Sequence, residues 1–486
     1  MTADSSPAPR SARSGLVIGV LSLSGILVAL LQTLVVPVLP AFAVDLGVPP
    51  TSASWLVTIT LLTGAVGTPL VGRLADMVGK RLMMLVCLGL MVAGSVLAAV
   101  GPGFATVVAG RGLQGFAMAL MPVGISMMRD VLPPARLGSG VALMSATIGI
   151  GSVLGMPLSG VLYDHLGWQA LFWLPAGFAV AMATLLPFVV PESTSRAPGR
   201  FDYPGAVLLT AALTAGLLAI SKGGSWGWGS APTVGLAAAA VLGLGLWIPL
   251  ELRTTRPLVD LRTSMLRPVL VSNVCALLLG FSMFLSSYAS TQELQVPTSV
   301  GGLGLSAAAA GLVMLPGGLV MILLAPVSAA MIRGWGAQAT LAVGAAAIAL
   351  GFAERGVFGT SVLVIGISAF VVSVGVAFAL AAMPVLITTA VPLDQTASAN
   401  SVNSLVRAVG TSAASAVGAA ILAASAVTAG VVAVPSQTGL DRVFWLGAVV
   451  ATVSLIVVAC VPIRAERTVP QEDLSVDPDD DVIRVH

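Results

Sequence analysis

The sequence predicts an all-α polytopic membrane protein with fourteen transmembrane helices, and three observations carry that prediction. First, 57% of the 486 residues are hydrophobic and only 9% are charged, which leaves too few ionisable side chains to cover a water-soluble surface. Second, the apolar residues fall into runs long enough to cross a bilayer. Third, the Lys and Arg side chains gather on one side of those runs. The net charge of +2 also argues against nucleic acid as a partner.

The apolar runs are each close to the roughly 20 residues that cross about 30 Å of hydrocarbon. We place spans 1 to 14 at 15–39, 52–72, 82–100, 104–127, 138–162, 170–190, 204–221, 231–250, 268–292, 307–331, 338–353, 360–391, 398–425 and 443–463. Span 1 is too long for a signal-peptide core, so we expect it to be retained as a helix.

The distribution of basic residues indicates the orientation of these spans. One side carries seventeen of them: Arg10, Arg13, Arg73, Lys80, Arg81, Arg129, Arg136, Arg196, Arg200, Arg253, Arg256, Arg262, Arg267, Arg333, Arg464, Arg467 and Arg484. The other side has Lys222, Arg355 and Arg442, and two more, Arg111 and Arg407, lie inside spans. We therefore expect both termini to be cytoplasmic, in a bacterial-type inner membrane.

An internal repeat indicates a duplication. The segment 116–125, FAMALMPVGI, matches 378–387, FALAAMPVLI, at an offset of 262 residues, and Gly151 matches Gly410 at an offset of 259. Spans 4 and 5 then correspond to spans 12 and 13, with spans 7 and 8 inserted between two six-helix halves. The predicted domains are a tail at 1–14, a six-helix bundle at 15–200, the inserted pair with its linkers at 201–262, a second six-helix bundle at 263–463, and an acidic tail at 464–486.

The turn between spans 2 and 3 concentrates charge in a chain that has little. It contains Gly72, Arg73, Asp76, Gly79, Lys80 and Arg81. The glycines permit a tight reversal, and the carboxylate of Asp76 can bind the positive N-terminus of another helix. The alternative is a plain loop acid that is balanced by Lys80 and Arg81.

Two ionisable residues lie near the outer ends of spans. Arg111 lies inside span 4, where a cation costs roughly 2.5–3.5 kcal/mol, so it should face a cavity or a partner, with Gln114 on about the same face. Coupling, substrate orientation and a structural hydrogen-bonding role all remain open for Arg111. Glu293 ends span 9 and is either a proton-exchanging carboxyl in a semi-dry vestibule or an interfacial acid in water.

Further polar residues are candidates for a substrate cavity. Arg407 and Asn403 lie in span 13, and the guanidinium of Arg407 could contact a ligand or extend to the interface. Gln32, Thr33 and Tyr288 could also line the cavity. In span 5, Gly151, Gly155 and Gly160 form a small-residue stripe, with Pro157 between them, that allows another helix to approach closely.

No catalytic or cofactor-binding constellation is visible. The only histidines are His165 and His486, and the three cysteines, at 87, 275 and 460, lie in apolar runs without paired spacing. We therefore expect no enzyme activity, no cofactor and no metal site.

Three of these motifs carry a resemblance to a known family. The turn Gly72 to Arg81 resembles the signature loop between helices 2 and 3 of the major facilitator superfamily. Arg111-Gly112-Leu113-Gln114-Gly115 resembles its helix-4 Arg motif, and the stripe from Gly151 to Gly160 resembles the helix-5 motif of its antiporters. Fourteen spans with an inserted central pair point to the drug:proton antiporter branch. The resemblance covers about 15–463 and implies a link from Asp76 to helix 13 that stabilises the outward-facing state.

The sequence departs from that family in four places. Met77 follows Asp76 where the family usually has a base. In span 5 the proline, Pro157, comes two positions after Gly155 instead of one, and Ser159 replaces a glycine. Leu31 stands where helix 1 often has an acid that carries the proton.

The resemblance implies an exporter of small apolar or cationic molecules that rocks two six-helix bundles around a midplane cavity and is driven by proton entry. Its expected partners are the substrate, protons and the lipid bilayer, and we expect a monomer. Leu31 suggests an alternative, an uncoupled facilitator or an exporter of a lipid or metabolite. A membrane-embedded sensor is an alternative of another class, but it would need a soluble effector segment.

Overall fold

The computed structural model describes residues 10–461, except 36, 37, 40, 41, 43, 44, 49, 54, 194, 195, 198–200, 255, 256, 299–301, 430 and 431. The described chain is almost entirely helical, and its two strands, β1 (Ala426–Ala429) and β2 (Val432–Pro435), form an antiparallel hairpin. The acidic tail at 464–486 lies outside the described residues.

The long helices follow the predicted spans in order. They are α1 (Arg10–Thr33), α2 (Trp55–Val78), α3 (Lys80–Val100), α4 (Phe104–Val131), α5 (Pro134–Leu166), α6 (Ala170–Val189), α7 (Tyr203–Trp226), α8 (Ala231–Arg253), α9 (Arg267–Gln295), α10 (Ala307–Leu323), α11 (Ala325–Phe358), α12 (Val362–Ala390), α13 (Thr396–Ala424) and α14 (Gln437–Cys460). A 3₁₀ turn at Phe116–Ala119 interrupts α4, and single helical turns lie at Pro50–Ala53 and Leu261–Ser264.

Local sequence signals explain where several helices begin. The hydroxyls of Ser230, Ser306, Ser361 and Ser436 each accept a hydrogen bond from the backbone N–H three residues further on. Such bonds satisfy N–H groups that have no partner within the helix, and they fix the first turn.

Twelve helices in the described part of the chain are long and apolar enough to cross a membrane. The 33-residue α5 and the 17-residue α10 occupy the two other predicted positions, so the structure is compatible with fourteen spans. The predicted turn between spans 10 and 11 is a kink inside α11, at Gly336, whose φ of +85° favours glycine. Span 10 therefore corresponds to α10 together with the first part of α11.

The helix of span 11 extends beyond the predicted apolar run. The sequence placed the span at 338–353 with Arg355 on the outer side, whereas α11 continues to Phe358 and only 6% of Arg355 is exposed. The apolar pattern stops before Arg355 because that residue is charged. Arg355 can nevertheless be buried within the helix because it has a buried acidic partner, which is described below.

Two large clusters make up most of the described core. One lies mainly within α1–α6, which we call the first half, and contains Leu88, Met84 and Met91, with Val385 of α12 and Ala397 of α13 at its edge. The other lies within α9 and α11–α14, which with α10 form the second half, and contains Phe352 and Phe444. Helix α7 of the inserted pair packs along the seam where α2 meets α13.

Both halves contain the same close helix crossing. A Cβ atom added to Gly94 on α3 would lie 2.5 Å from the carbonyl oxygen of Gly110 on α4, and one added to Gly344 on α11 would lie 2.8 Å from that of Gly375 on α12. Backbones can approach this closely only where side chains are absent. A duplication of a six-helix unit would produce the same close crossing in both halves.

Candidate functional site

The predicted turn from Gly72 to Arg81 is shorter in the structure than the sequence indicated. Gly72, Arg73 and Asp76 lie in the last turns of α2, Gly79 alone separates the two helices, and Lys80 and Arg81 begin α3. We call this end of the helices the motif face. Gly79 has a φ of +132°, which a residue with a side chain rarely adopts, and it allows the sharp turn into α3. Gly72 faces α13, since an added Cβ atom would lie 2.9 Å from the carbonyl oxygen of Ala397. The glycines thus bring α2 against the first turn of α13.

Asp76 joins the two halves at this contact. Its fully buried carboxylate accepts hydrogen bonds from the backbone N–H groups of Ala397, at 3.1 Å, and Ser398, at 2.8 Å. These N–H groups begin α13 and have no intrahelical partner, and the helix dipole favours an anion there. The structure thus places Asp76 against the helix that the family resemblance implied, and its gating role stays a prediction.

Lys80 lies beside Asp76 and extends the contact. Its ammonium group is 4.0 Å from the Asp76 carboxylate and 2.8 Å from the carboxylate of Asp130, and the side chain is fully buried. It also donates to the carbonyl oxygen of Leu393 in the second half, at 3.4 Å. Lys80 therefore bridges two acids of the first half and a backbone group of the second.

Other basic residues also connect the halves at the motif face. Arg129, near the end of α4, donates to the carbonyl oxygen of Val391 at 2.8 Å, and Arg333 of α11 donates to the hydroxyl of Ser139 at 2.8 Å. Sequence reasoning treated Arg129 only as part of the charge count and did not consider Asp130. The signal that could have revealed them is an adjacent pair of opposite charges at the end of an apolar span.

Arg81 and Arg73 have different surroundings from Lys80. The Arg81 guanidinium lies 3.6 Å from the carboxylate of Glu192, and it donates to the carbonyl oxygen of Val190 at 3.2 Å, both within the first half. Arg73 is buried, with 8% of the residue exposed. Of the predicted loop, Asp76, Lys80 and Gly72 form the contact between halves.

Arg111 is the centre of a buried network inside the first half. Its guanidinium donates to the carbonyl oxygens of Leu56, at 2.9 Å, and Leu31, at 3.2 Å, and to the side-chain oxygen of Gln114, at 2.9 Å. Gln114 in turn donates to the hydroxyl of Ser95 at 2.7 Å. Arg111 therefore ties α1, α2 and α4 together, and a backbone carbonyl takes the position next to it where the family often has the helix-1 acid.

Glu293 is buried and paired rather than solvated. Only 1% of it is exposed, its carboxylate forms a salt bridge with Arg355, and Gln437 donates to it at 3.3 Å. Arg355 also lies over the ring of Phe444, 4.7 Å from its centroid. These contacts join α9, α11 and α14 at the end opposite the motif face, and they exclude the alternative of an interfacial acid in water.

A small central cavity lies between the halves. Its lining residues come from α4, α5, α12 and α13 and are Met121, Ile125, Ser145, Ile148, Leu380, Met383, Pro384, Asn400, Asn403, Ser404 and Arg407. Two predicted cavity residues, Asn403 and Arg407, are therefore brought together here. Asn403 donates its amide to the carbonyl oxygen of Ser272, at 3.0 Å, and to the side chain of Asn273, at 3.1 Å.

Three other predicted cavity residues do not line this space. Thr33 donates to the carbonyl oxygens of Ala29, at 2.9 Å, and Gly151, at 3.3 Å, so it packs α1 against α5. Gln32 is exposed. Tyr288 stacks on Phe284 with a centroid distance of 5.9 Å. The structure thus brings none of the three to this space, and their role at a substrate cavity stays a prediction. An almost uniformly apolar span does not reveal which face of a helix points inward.

The small-residue stripe of α5 packs against α1 at two of its three glycines. A Cβ atom added to Gly151 would lie 2.9 Å from the carbonyl oxygen of Ile26, and one added to Gly155 would lie 2.7 Å from Cβ of Thr33. Gly160 faces open space, and the side chain of Pro157 lies outside the described residues. Gly410, the repeat partner of Gly151, lies even closer to a carbonyl oxygen, that of Leu277 on α9.

Comparisons with known proteins agree with this architecture. A sequence profile described as Major Facilitator Superfamily matches residues 21–415. The tetracenomycin C resistance and export protein of Streptomyces glaucescens is 32% identical over 321 residues, which cover 65% of this chain and 59% of that protein, so the chain spans about three fifths of that relative. Multidrug resistance protein Stp of Mycobacterium tuberculosis (strain CDC 1551 / Oshkosh) is 27% identical over 414 residues, 82% of this chain and 74% of that protein.

A solved structure shows the same fold. The crystal structure of the human organic anion transporter MFSD10 (TETRAN) superposes with a TM-score of 0.67, over 92% of this chain and 99% of that chain. The sequences are 19% identical, so this likeness concerns the fold alone.

Proposed function

Since the chain belongs to the major facilitator superfamily, we propose that it is a secondary active transporter that exports small apolar molecules by alternating access and draws its energy from proton entry. Relatives at 27% and 32% identity are a multidrug resistance protein and a resistance and export protein, which supports export as the direction of transport. We propose that it acts as a monomer.

The contact of Asp76 with α13 is the observation that carries this proposal. It is a charge-assisted contact between the two halves, at 2.8 and 3.1 Å, and it forms at only one end of the helices. Opening the motif face would break it together with the bonds of Lys80 and Arg129 to the second half. Such an interface has two discrete arrangements, closed and open, as a rocking transporter requires.

The motif face is proposed to be cytoplasmic. The positive-inside bias assigns it seventeen Lys and Arg residues against three on the opposite side. In that orientation the structure has its cytoplasmic side closed, and both termini lie in the cytoplasm of a cell with a bacterial-type inner membrane.

The size of the central cavity fits a contracted state. Only about 30 Å³ of it can hold the centres of water molecules, which is room for roughly two waters. Ligand pockets commonly reach about 300–1,000 Å³, so a drug-sized substrate needs the halves to separate around this point. The Met, Leu, Ile and Pro side chains of its walls suit apolar substrates.

For the proton, Glu293 is the acceptor to test first. Protonation would remove the charge that holds Arg355, and a buried pair that loses one charge is strongly destabilised. The change would loosen α9 from α11 at the end opposite the motif face. Proton binding by Glu293 and movement of α9 relative to α11 would thus be linked through the Glu293–Arg355 salt bridge.

A gradient-driven transport assay tests the proposal. Purified protein in phosphatidylcholine vesicles is given radiolabelled chloramphenicol as a neutral probe and ethidium as a cationic probe, with and without an imposed pH gradient and with a protonophore as control. We expect the gradient to drive movement of the neutral probe and the protonophore to stop it. Protein-dependent movement that ignores the gradient would support the uncoupled exporter, for which Leu31 at the usual acid position is the specific observation.

A further inference from the structure

Arg407 is the charged residue of the central cavity, where it is half-buried. Unlike Arg111, whose guanidinium donates to two carbonyl oxygens and an amide oxygen, it donates no hydrogen bond from its guanidinium to another described residue. Asp76, Lys80, Glu293 and Arg355 each have an ionic partner. Within the described part of the chain no carboxylate lies within 4.0 Å of the Arg407 guanidinium. Its side chain borders both the central cavity and a smaller apolar space behind it, lined by Leu279, Met283, Ile348 and Val376 among others.

The packing holds the stem of Arg407 in this position. Gly280 of α9 lies directly against it, since an added Cβ atom would be 2.9 Å from Cγ of Arg407. The helices α9 and α13 therefore cross at this point without a side chain from α9 between them. The absence of a side chain at Gly280 leaves room for the stem of Arg407 between the two helices.

Three of the other polar side chains that line the cavity already donate hydrogen bonds. The amide of Asn403 donates to Ser272 and Asn273. The amide of Asn400 donates to the carbonyl oxygen of Thr396 at 2.9 Å, and the hydroxyl of Ser145 donates to the carbonyl oxygen of Leu380 at 3.0 Å. The guanidinium carries five N–H donors in a planar fork that matches the paired oxygens of a carboxylate, phosphate or sulfonate. Among the described residues that line the cavity, Arg407 is therefore the charged donor that can pair with an acidic group.

We propose that the central cavity binds an amphiphile with one acidic group, which pairs with Arg407 while its apolar body contacts Met121, Leu380 and Met383. An unpaired cation at bilayer depth is costly, and a ligand anion removes that cost, whereas a cationic ligand adds repulsion. This inference rests on the proposed function and names its substrate class. It replaces the cationic substrates expected from family resemblance with anionic ones.

A matched pair of probes tests the inference by binding alone. 2-Naphthoate and 2-naphthamide share one apolar body and differ in the acidic group, and their binding to the full-length protein in phosphatidylcholine nanodiscs is measured by equilibrium dialysis. We expect the wild-type protein to bind the acid at least about tenfold more tightly than the amide, as one charge-assisted contact provides. We expect Arg407→Gln to lose this preference and Arg407→Lys to keep most of it.

Arg442→Gln is the control, because it removes one positive charge from an exposed position on α14. It should keep the preference of the wild-type protein, and thermal unfolding checks that Arg407→Gln is folded. Equal binding of acid and amide by the wild-type protein, or an unchanged preference in Arg407→Gln, would overturn the inference.

Two further arms separate related outcomes. Nanodiscs that contain phosphatidylglycerol show whether a lipid phosphate supplies the anion. In that case the lipid competes with naphthoate for the wild-type protein, and the competition is lost in Arg407→Gln. Binding needs neither a gradient nor turnover. If the protein binds the acid more tightly than the amide but moves no probe in vesicles, the proposed transport is refuted and the proposed anion site is still supported.

Discussion

Replacing Asp76 with Asn should open the motif face. The carboxylate accepts two N–H bonds from α13, at 3.1 and 2.8 Å, and an amide can accept only one of them while its NH₂ group faces the other donor. A hydrogen bond to a charged group contributes about 1.5–3 kcal/mol and a neutral one about 0.5–1.5 kcal/mol. One lost bond and one weakened bond amount to about 2–4 kcal/mol, or a shift of roughly thirty- to thousand-fold towards the open state.

The population of open protein can be read from distances between spin labels. Ala135→Cys on α5 and Gly334→Cys on α11 place labels at exposed positions on either side of the motif face, in a background where the exposed Cys460 is replaced by Ser. Double electron–electron resonance in nanodiscs should show a short distance in the wild-type protein and a majority of longer distances in Asp76→Asn. Transport should fall greatly while membrane insertion stays normal.

Glu192→Gln provides the matched control for Asp76→Asn. Glu192 is also an acid at the motif face, but its partner Arg81 belongs to the same half. We expect the distance distribution of this variant to match the wild-type protein. If Asp76→Asn also leaves the distances and the transport rate unchanged, Asp76 does not hold the halves together and the gating argument fails.

The remaining predictions concern three other contacts. Glu293→Gln should abolish proton movement caused by substrate, measured with an internal pH dye in vesicles, because the amide cannot take up the proton; unchanged proton flux would exclude Glu293 as carrier. Gly72→Val should prevent the close approach of α2 to Ser401 and abolish transport, with spin-label distances as the readout; wild-type transport would contradict the close packing. Arg111→Lys should lose the fork that reaches Leu56, Leu31 and Gln114 and should lower the thermal unfolding temperature by several degrees, roughly what one or two lost buried bonds produce; an unchanged temperature would refute a structural role.

The sequence predicted the membrane fold and the family, since each depends on a strong local signal, and the resemblance to that family implied the contact of Asp76 with helix 13. Apolar length defines a span, and a carboxylate beside a tight glycine turn can satisfy a helix N-terminus. These signals do not depend on how a helix is rotated. The all-α membrane architecture and the family membership are confirmed.

The residues that line the cavity were harder to predict, because they depend on how each helix is rotated about its axis and on which distant spans pack together. Gln32 and Tyr288 lie on faces that an almost uniformly apolar helix does not identify. Arg355 was counted only as a basic residue of the outer side, because its partner, Glu293, is 62 positions away. Asp130 was missed because only the fold brings the end of α4 to Lys80.

The direction of proton flow produced by a substrate gradient alone tests the central claim most directly. Vesicles with wild-type protein, no imposed pH gradient and an internal pH dye are given a substrate gradient of a probe that the protein moves. Coupled exchange predicts that protons move opposite to the substrate and that Asp76→Asn suppresses both movements together. Substrate movement through the wild-type protein with no change of internal pH would contradict proton antiport.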